Sequence, residues 1–314
     1  MKVSVILVDG GFRENIHAAR CFSEQDFPKD EYEVIWVEYY RKPHEGLKNL
    51  PKVKVLILNN YNTYHSSYCF NAGIREASGK LLIIPDADQI VPSDFISRVW
   101  NLHKSYDKLV VYGYRYDEIE QGVLKTHSLD ELEKKCVLKN PTNYGGCLTV
   151  RRKWLIEING YEQHPLLGTG NHSNGLDIYT RFRNLGLAIQ WAPTLKLYHP
   201  WHSFSRQHDP IYDLQLELIE WKSSQLFTMA FEGINSSKNI VPTGDAKKII
   251  KNGLEKLTNN NQQLQHENQQ LKQEIEQLQQ ENQQTKQEIL QIRNSLSLKI
   301  TAPLRKIYGL IRNF

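Results

Sequence analysis

Short, mostly apolar runs punctuate the first two hundred residues, separated by more polar stretches, several with helical spacing. VSVILV (3–8) reads as a buried strand, EVIWVE (33–38) and VKVLIL (53–58) as the next two, and LLII (81–84) as a further buried strand. Between them the spacing predicts a helix near Glu14–Gln25 and another capped by Ser66 and Ser67, running to Ser78 and closed by Gly79. A further helix begins at Pro92–Ser93, and KLVVYGY (108–114) is the next strand. GGCLTVRR (145–152) predicts a strand entering a short helix, Lys153–Asn159, that Gly160 ends. GLDIYTRFRNLG (175–186) has helical spacing, and LAIQWAP (187–193) and LKLYHP (195–200) read as two short strands. Residues 113–140 fit neither period. Strands alternating with helices predict an α/β fold built on a mostly parallel sheet flanked by helices.

The pattern changes after Glu232. GINSSKNIVPTGD (233–245) reads as a linker, and from Ala246 the chain is rich in Gln, Asn, Glu and Lys. Such tracts are often disordered, but here a heptad can be followed. Ile250, Leu257, Leu264, Leu271, Leu278, Thr285 and Ile292 fall on one seam position, and Leu254, Asn261, Asn268, Ile275, Asn282, Ile289 and Leu296 on the other. Leu at d with β-branched or Asn residues at a is the pattern of a parallel two-stranded coiled coil, so a homodimer is expected. The expected layout is therefore a domain over 1–232, a linker over 233–245, a coiled coil over 246–296 and a basic tail over 297–314. In the tail, Leu304, Ile307, Tyr308 and Ile311 form a helical stripe. Such a helix lies either on an anionic membrane surface or on the protein's own body.

Composition narrows the setting. The 314 residues carry a mild net charge of +4, which gives no case for a nucleic-acid partner. Cys21, Cys69, Cys136 and Cys147 are widely spaced, which predicts free thiols in a reducing cytosol and no zinc site. No apolar run approaches the length of a membrane span, and the first is too short for a signal peptide. A cytoplasmic protein, with at most peripheral membrane contact, is expected.

The chemistry concentrates in LLIIPDADQIVPSDF (81–95), where Asp86 and Asp88 follow a buried strand. Asp and Pro suit a turn. The same position, the carboxyl end of a parallel strand, is where open α/β sheets place their ligands. Mg²⁺ and Mn²⁺ take one or two carboxylates alongside phosphate oxygens, which suits Asp88 as a metal ligand and Asp86 as a ligand or a ribose contact.

VSVILVDGGFRENIHAARCFSEQ, EVIWVEYY and CFNAGIREASGKLLIIPDADQIVPSDF together resemble family 2 glycosyltransferases of the GT-A fold, and GGCLTVRRKWLIEINGYE and GLDIYTRFRNLGLAIQWAP resemble their acceptor-side half. The likeness covers roughly residues 1–200. It implies a Rossmann-like nucleotide-sugar fold and inverting transfer from a nucleoside diphosphate sugar to a hydroxyl on a glycan or lipid-linked acceptor. It also implies a divalent cation, Mn²⁺ or Mg²⁺, and a place in surface polysaccharide or glycolipid assembly. By the same resemblance His199 is a late ligand to the cation, with His202 as its substitute, although such histidines are often purely structural. Glu38 matches the acidic residue that reads the base, Asp9 a nucleotide contact, and Asn71, Gly73 and Arg75 the diphosphate side. Gly145 and Gly146 either let the backbone approach the donor sugar or form a plain loop. The family's acidic pair at a helix start falls on Asn174–Gly175, leaving Asp177 as the nearest candidate base; Asp177 also suits simple compensation of the helix dipole. Asp209 and Asp213 are the next carboxylates. Two rivals stand beside an active transferase. One is a silent dimeric scaffold of the same fold; the other is a nucleotidylyltransferase, whose Gly-rich basic loop DGGFREN lacks.

Overall fold

The computed structural model describes residues 1–13, 15–40, 42–119, 124, 128–167, 173–202 and 211–311. It divides into two compact units, Met1–Lys256 and Leu257–Phe314.

The first unit is built on an eight-stranded sheet. In chain order its elements are β1 (Val3–Asp9), α1 (His17–Ser23), β2 (Tyr32–Glu38), β3 (Val53–Ile57), α2 (Ser66–Glu76), β4 (Leu81–Pro85) and α3 (Phe95–His103). There follow β5 (Leu109–Glu118), α4 (Leu129–Lys135), β6 (Cys136–Leu138), β7 (Cys147–Arg151), α5 (Arg152–Glu157), α6 (Ser173–Asn184), β8 (Ala188–His199) and α7 (Tyr212–Ser224). The strand order is β3-β2-β1-β4-β7-β5-β6, with β8 also paired to β5.

The sheet is mixed. β3, β2, β1 and β4 are mutually parallel, while β7 runs against both β4 and β5. Hydrophobic periodicity reports burial and not strand direction, so it could not reveal this reversal. Its consequence is functional. Because β7 opposes both neighbours, β5 points the same way as β4, and β8 pairs parallel to β5. The carboxyl ends of β1, β2, β4, β5 and β8 therefore share one edge of the sheet.

The uniform apolar strands have a simple cause. Along β1, Val5 and Leu7 pack with α1 and α3 through Phe22, Phe95 and Val99. Ile6 and Val8 pack on the opposite face with α2, α5 and α6, through Ile74, Leu155 and Phe182. Both faces are covered, so no polar alternation survives.

Several local expectations change. Gly79 does not cap α2, which ends at Ala77 in extended geometry. It lets β4 enter beside β1: a Cβ there would lie 2.4 Å from the Ser4 backbone nitrogen. The helix near Glu14–Gln25 shortens to α1, and Glu14 lies outside the described residues. The two short strands 187–193 and 195–200 are one strand, β8. Its register against β5 jumps between Gly113 and Tyr114, bulging out the segment around Pro193.

The segment 233–245 is no free linker. Ile234 and Asn235 donate backbone hydrogen bonds to Asn159, and Ile240 donates to Phe231. The last helix, α8 (Gly244–Ile311), opens inside the first unit, burying Ala246, Ile249 and Ile250. The body thus reaches Lys256, not Glu232. Beyond it α8 is helical throughout, and its seam residues Leu264, Leu271 and Leu278 are 46%, 53% and 57% exposed. The side chains of the tail stripe, and residues 312–314, lie outside the described residues.

Candidate active site

The shared edge gathers the candidate residues. Asp9 ends β1, Glu38 ends β2, Asp86 follows β4, Asp117 nears the end of β5, and His199 ends β8. Two backbone devices fix the Asp-Ala-Asp turn in place. Ile90 and Tyr198 exchange hydrogen bonds of 2.8 and 2.9 Å, drawing the turn against the end of β8. The Asp86 amide also donates to the Gly146 carbonyl at 3.3 Å, fixing the turn against the Gly145–Gly146 segment.

Asp88 is the centre. Its Oδ2 lies 3.2 Å from His202 Nε2, 3.5 Å from His199 Nε2 and 2.6 Å from Arg13 Nη1. Its Oδ1 is buried and has no hydrogen-bond partner among the described residues. Asp88, His199 and His202 each offer a ligand atom within 4.8 Å of the others, a set able to hold a metal ion. A buried oxygen lacking a donor, beside two imidazoles and a second carboxylate, is what a hard-to-borderline divalent cation would satisfy.

Asp117 orients the imidazole of His199. Asp117 and His199 are register partners across β5 and β8, and their Oδ1 and Nδ1 are 3.0 Å apart. This turns His199 Nε2 toward Asp88. Arg115 spans the two acids, 3.1 Å from Asp117 and 3.5 Å from Asp86. On the other side, His17 Nε2 is 2.7 Å from the Asp88 carbonyl. A cleft of about 250 Å³ opens here, lined by Phe12, Arg13, Asn15, Trp201 and His202 among others.

Electrostatics divide the two carboxylates. Burial works to raise the pKa of Asp88, but hydrogen bonds from His199 and His202 and the Arg13 charge outweigh it and hold it well below the usual range. Burial and then the Asp88 charge raise Asp86 instead. For His199, burial is overcome by the bonds to Asp117 and Asp88, and its pKa rises to about 9. Desolvation, then the charge of Asp9, push Glu38 up to about 7.

Asp86, Asp88, His199 and His202 thus come together, with Asp9 and Glu38 on the same edge. Other candidates do not join them. Asn71 is fully buried and exchanges 2.8 Å hydrogen bonds with the Tyr161 backbone. Gly73 lets α2 press on the sheet, since a Cβ would meet Ile6 at 2.5 Å. Arg75 reaches the Ile234 carbonyl at 3.3 Å.

Asp177 requires the largest correction. It is 1% exposed, with Arg181 at 2.6 Å on Oδ2 and Lys222 at 2.8 Å on Oδ1. Lys222 also reaches Glu162 at 3.0 Å, closing a buried network of two acids and two bases. Burial favours the neutral acid, yet Arg181 and Lys222 lower the pKa below the ordinary value. A weakly basic carboxylate with both oxygens held is poorly suited to accept a proton from an acceptor. Asp213 is exposed on α7, and Asp209 lies outside the described residues.

Arg13, His17, Arg115 and Asp117 were not singled out in the sequence. Asp117 and Arg115 lie in the stretch 113–140 that fitted no period; their alternation on an extended β5 was the available signal.

The doubly covered sheet, with its reversed β7, is similar in fold to solved GT-A glycosyltransferases. Residues 23–158 match the family described as Glycosyl transferase family 2. Similar solved structures include S. aureus TarS 1-349 in complex with UDP, 16% identical over 81% of this chain and 71% of that one, with a TM-score of 0.53. GalNAc-T7 with UDP, GalNAc and Mn²⁺ is 16% identical over 80% of this chain and 54% of that one, TM-score 0.53. The mannosyltransferase PcManGT of Pyrobaculum calidifontis, with GDP-Man and Mn²⁺, is 15% identical over 70% and 61% of the two chains, TM-score 0.45. The likeness to TarS and GalNAc-T7 is one of fold. No curated protein matches the chain.

Proposed function

We propose that the protein transfers a sugar from a nucleoside diphosphate sugar to a hydroxyl acceptor, with inversion, on the edge where Asp88, His199 and His202 converge. That convergence is the observation carrying the reading. A divalent cation held by these three residues would neutralise charge on the departing diphosphate. Two imidazoles beside a carboxylate favour Mn²⁺ over Mg²⁺. Asp86 contacts ribose or ordered water, Glu38 and Asp9 face the nucleoside, and Gly145–Gly146 admit the donor sugar. The acceptor is a glycan or lipid-linked sugar in surface polysaccharide or glycolipid assembly. Two chains pair through α8, and the basic tail contacts the inner face of an anionic membrane.

The burial of Asp177 favours a second reading, a scaffold that binds nucleotide without transferring sugar. One experiment separates them. UDP- and GDP-sugars are screened with Mn²⁺ by thermal shift and by release of nucleoside diphosphate. Mn²⁺-dependent shift with turnover, both lost in Asp88→Asn, supports the enzyme. Shift without turnover supports the scaffold, and no shift with any donor sinks both.

A further inference from the structure

Arg13 holds a position that the proposed cation would contest. β1 ends at Asp9, whose Oδ1 accepts the Phe12 amide at 3.2 Å and turns the following chain over the site. That turn delivers Arg13 Nη1 to 2.6 Å from Asp88 Oδ2, the oxygen that also faces His199 and His202. A guanidinium here supplies positive charge to a carboxylate that is itself 9% exposed. The match is incomplete, because among the described residues neither Asp88 Oδ1 nor Arg13 Nε has a hydrogen-bond partner although both are buried. A cation bound among Asp88, His199 and His202 would meet like charge at close range, so Arg13 must leave when it arrives. The Arg13 side chain is 27% exposed and borders the open cleft, so it has room to swing. A planar guanidinium with an unused Nε–H is suited to bidentate binding of phosphate oxygens.

We propose that Arg13 is a diphosphate-binding residue that stands in for the cation on Asp88 until a nucleoside diphosphate draws it away. Cation alone must displace Arg13 and leave two positive charges facing each other; diphosphate supplies the anion that both require. Cation and nucleoside diphosphate therefore bind cooperatively, and by linkage each tightens the other by the same factor. The inference rests on the proposed metal site, and the test separates the two.

Mn²⁺ binding to the full chain is followed by the loss of the free-Mn²⁺ EPR signal, alone and with saturating UDP or GDP. For the wild type, weak Mn²⁺ binding tightened about tenfold or more by the better nucleotide is expected. Arg13→Gln binds Mn²⁺ alone about tenfold more tightly, and the nucleotide then tightens Mn²⁺ by a factor about tenfold smaller than in the wild type, the remainder being direct attraction between cation and diphosphate. Arg98→Gln removes the same charge from an exposed pair with Asp94, outside the site, and it retains the wild-type coupling. Thermal melts of each variant verify folding, with Arg13→Lys as a milder second variant that keeps part of the coupling. If Arg13→Gln leaves Mn²⁺ affinity and coupling unchanged while Asp88→Asn abolishes binding, the metal site stands and the role of Arg13 is overturned. If Asp88→Asn binds Mn²⁺ like the wild type, both fall.

Discussion

Asp9 and Glu38 are register partners at the carboxyl ends of the parallel strands β1 and β2, 5% and 1% exposed respectively. Desolvation raises both pKa values; the Asp9 charge adds to the rise at Glu38, which reaches about 7, while Arg13 works against the rise at Asp9. Two acids side by side on a buried edge are costly to ionise together. They are tolerable where a ligand with hydrogen-bond donors, such as a base or ribose, completes the site.

The first prediction follows from Glu38. Its folded pKa, about 7, exceeds the ordinary 4.5, so between those values the folded state holds a proton that the unfolded chain has released. Stability therefore falls as pH rises through that window and levels off above it. Glu38→Gln cannot ionise and should melt a few degrees higher than the wild type at pH 8, with little difference at pH 4.5. Melts between pH 4.5 and 9 test this. A constant offset across the range would show that the carboxyl is not raised.

The second prediction concerns Asp177. Removing one charge from a buried network leaves Arg181 and Lys222 without their shared anion, at about 3–5 kcal/mol. Asp177→Asn should therefore lower the melting temperature by about 10 °C. Residual nucleotide binding should track the folded fraction. A variant that melts like the wild type yet transfers no sugar would restore Asp177 as the base.

Asp177 also marks how far sequence reading extends. The Asp177–Arg181 spacing is visible as an i, i+4 pair. Lys222 comes from a helix 45 positions later and Glu162 from a loop, and neither partner carries a local signal. The same holds at the metal set. Asp86 and Asp88 stand out because turn chemistry and strand burial are local properties. Asp117 does not, because its meaning depends on the register of β5 against β8. The parallel strands were legible from their apolar runs; the β7 reversal that aligns the edge was not.

The third prediction uses Gly145. Among the described residues, a Cβ there would meet only Asn143 Oδ1, at 3.6 Å. Gly145→Ala should leave stability within about 0.5 kcal/mol of the wild type. If the donor sugar approaches this backbone, affinity for the nucleotide sugar should drop several-fold while affinity for the bare nucleoside diphosphate is kept. Calorimetry with both ligands reads the split, and equal affinities would leave Gly145 as an ordinary loop residue.

The last prediction concerns α8. Leu264, Leu271, Ile275, Leu278, Ile289 and Ile292 are each between 46% and 59% exposed on a single helix. An apolar seam of this length on one helix is unfavourable in water, and a second copy offers a matching seam. Asn261, Asn268 and Asn282 share the a position, where Asn side chains can pair across a parallel two-stranded interface. An antiparallel or three-stranded arrangement would leave more of them buried and unpaired, at about 1–3 kcal/mol each. A parallel homodimer is therefore expected. The body must be cut after Lys256, because 233–256 packs on the domain and an earlier stop would remove part of its core. Sedimentation should give twice the chain mass for the full protein and one chain mass for residues 1–256. Leu264→Ser combined with Leu271→Ser should shift the full chain toward monomer without changing the melt of the body. Asn268→Leu should raise dimer stability while admitting trimers, as removal of a register-fixing Asn does. A chain of residues 1–256 that sediments as a full dimer would show that the body, not α8, joins the copies.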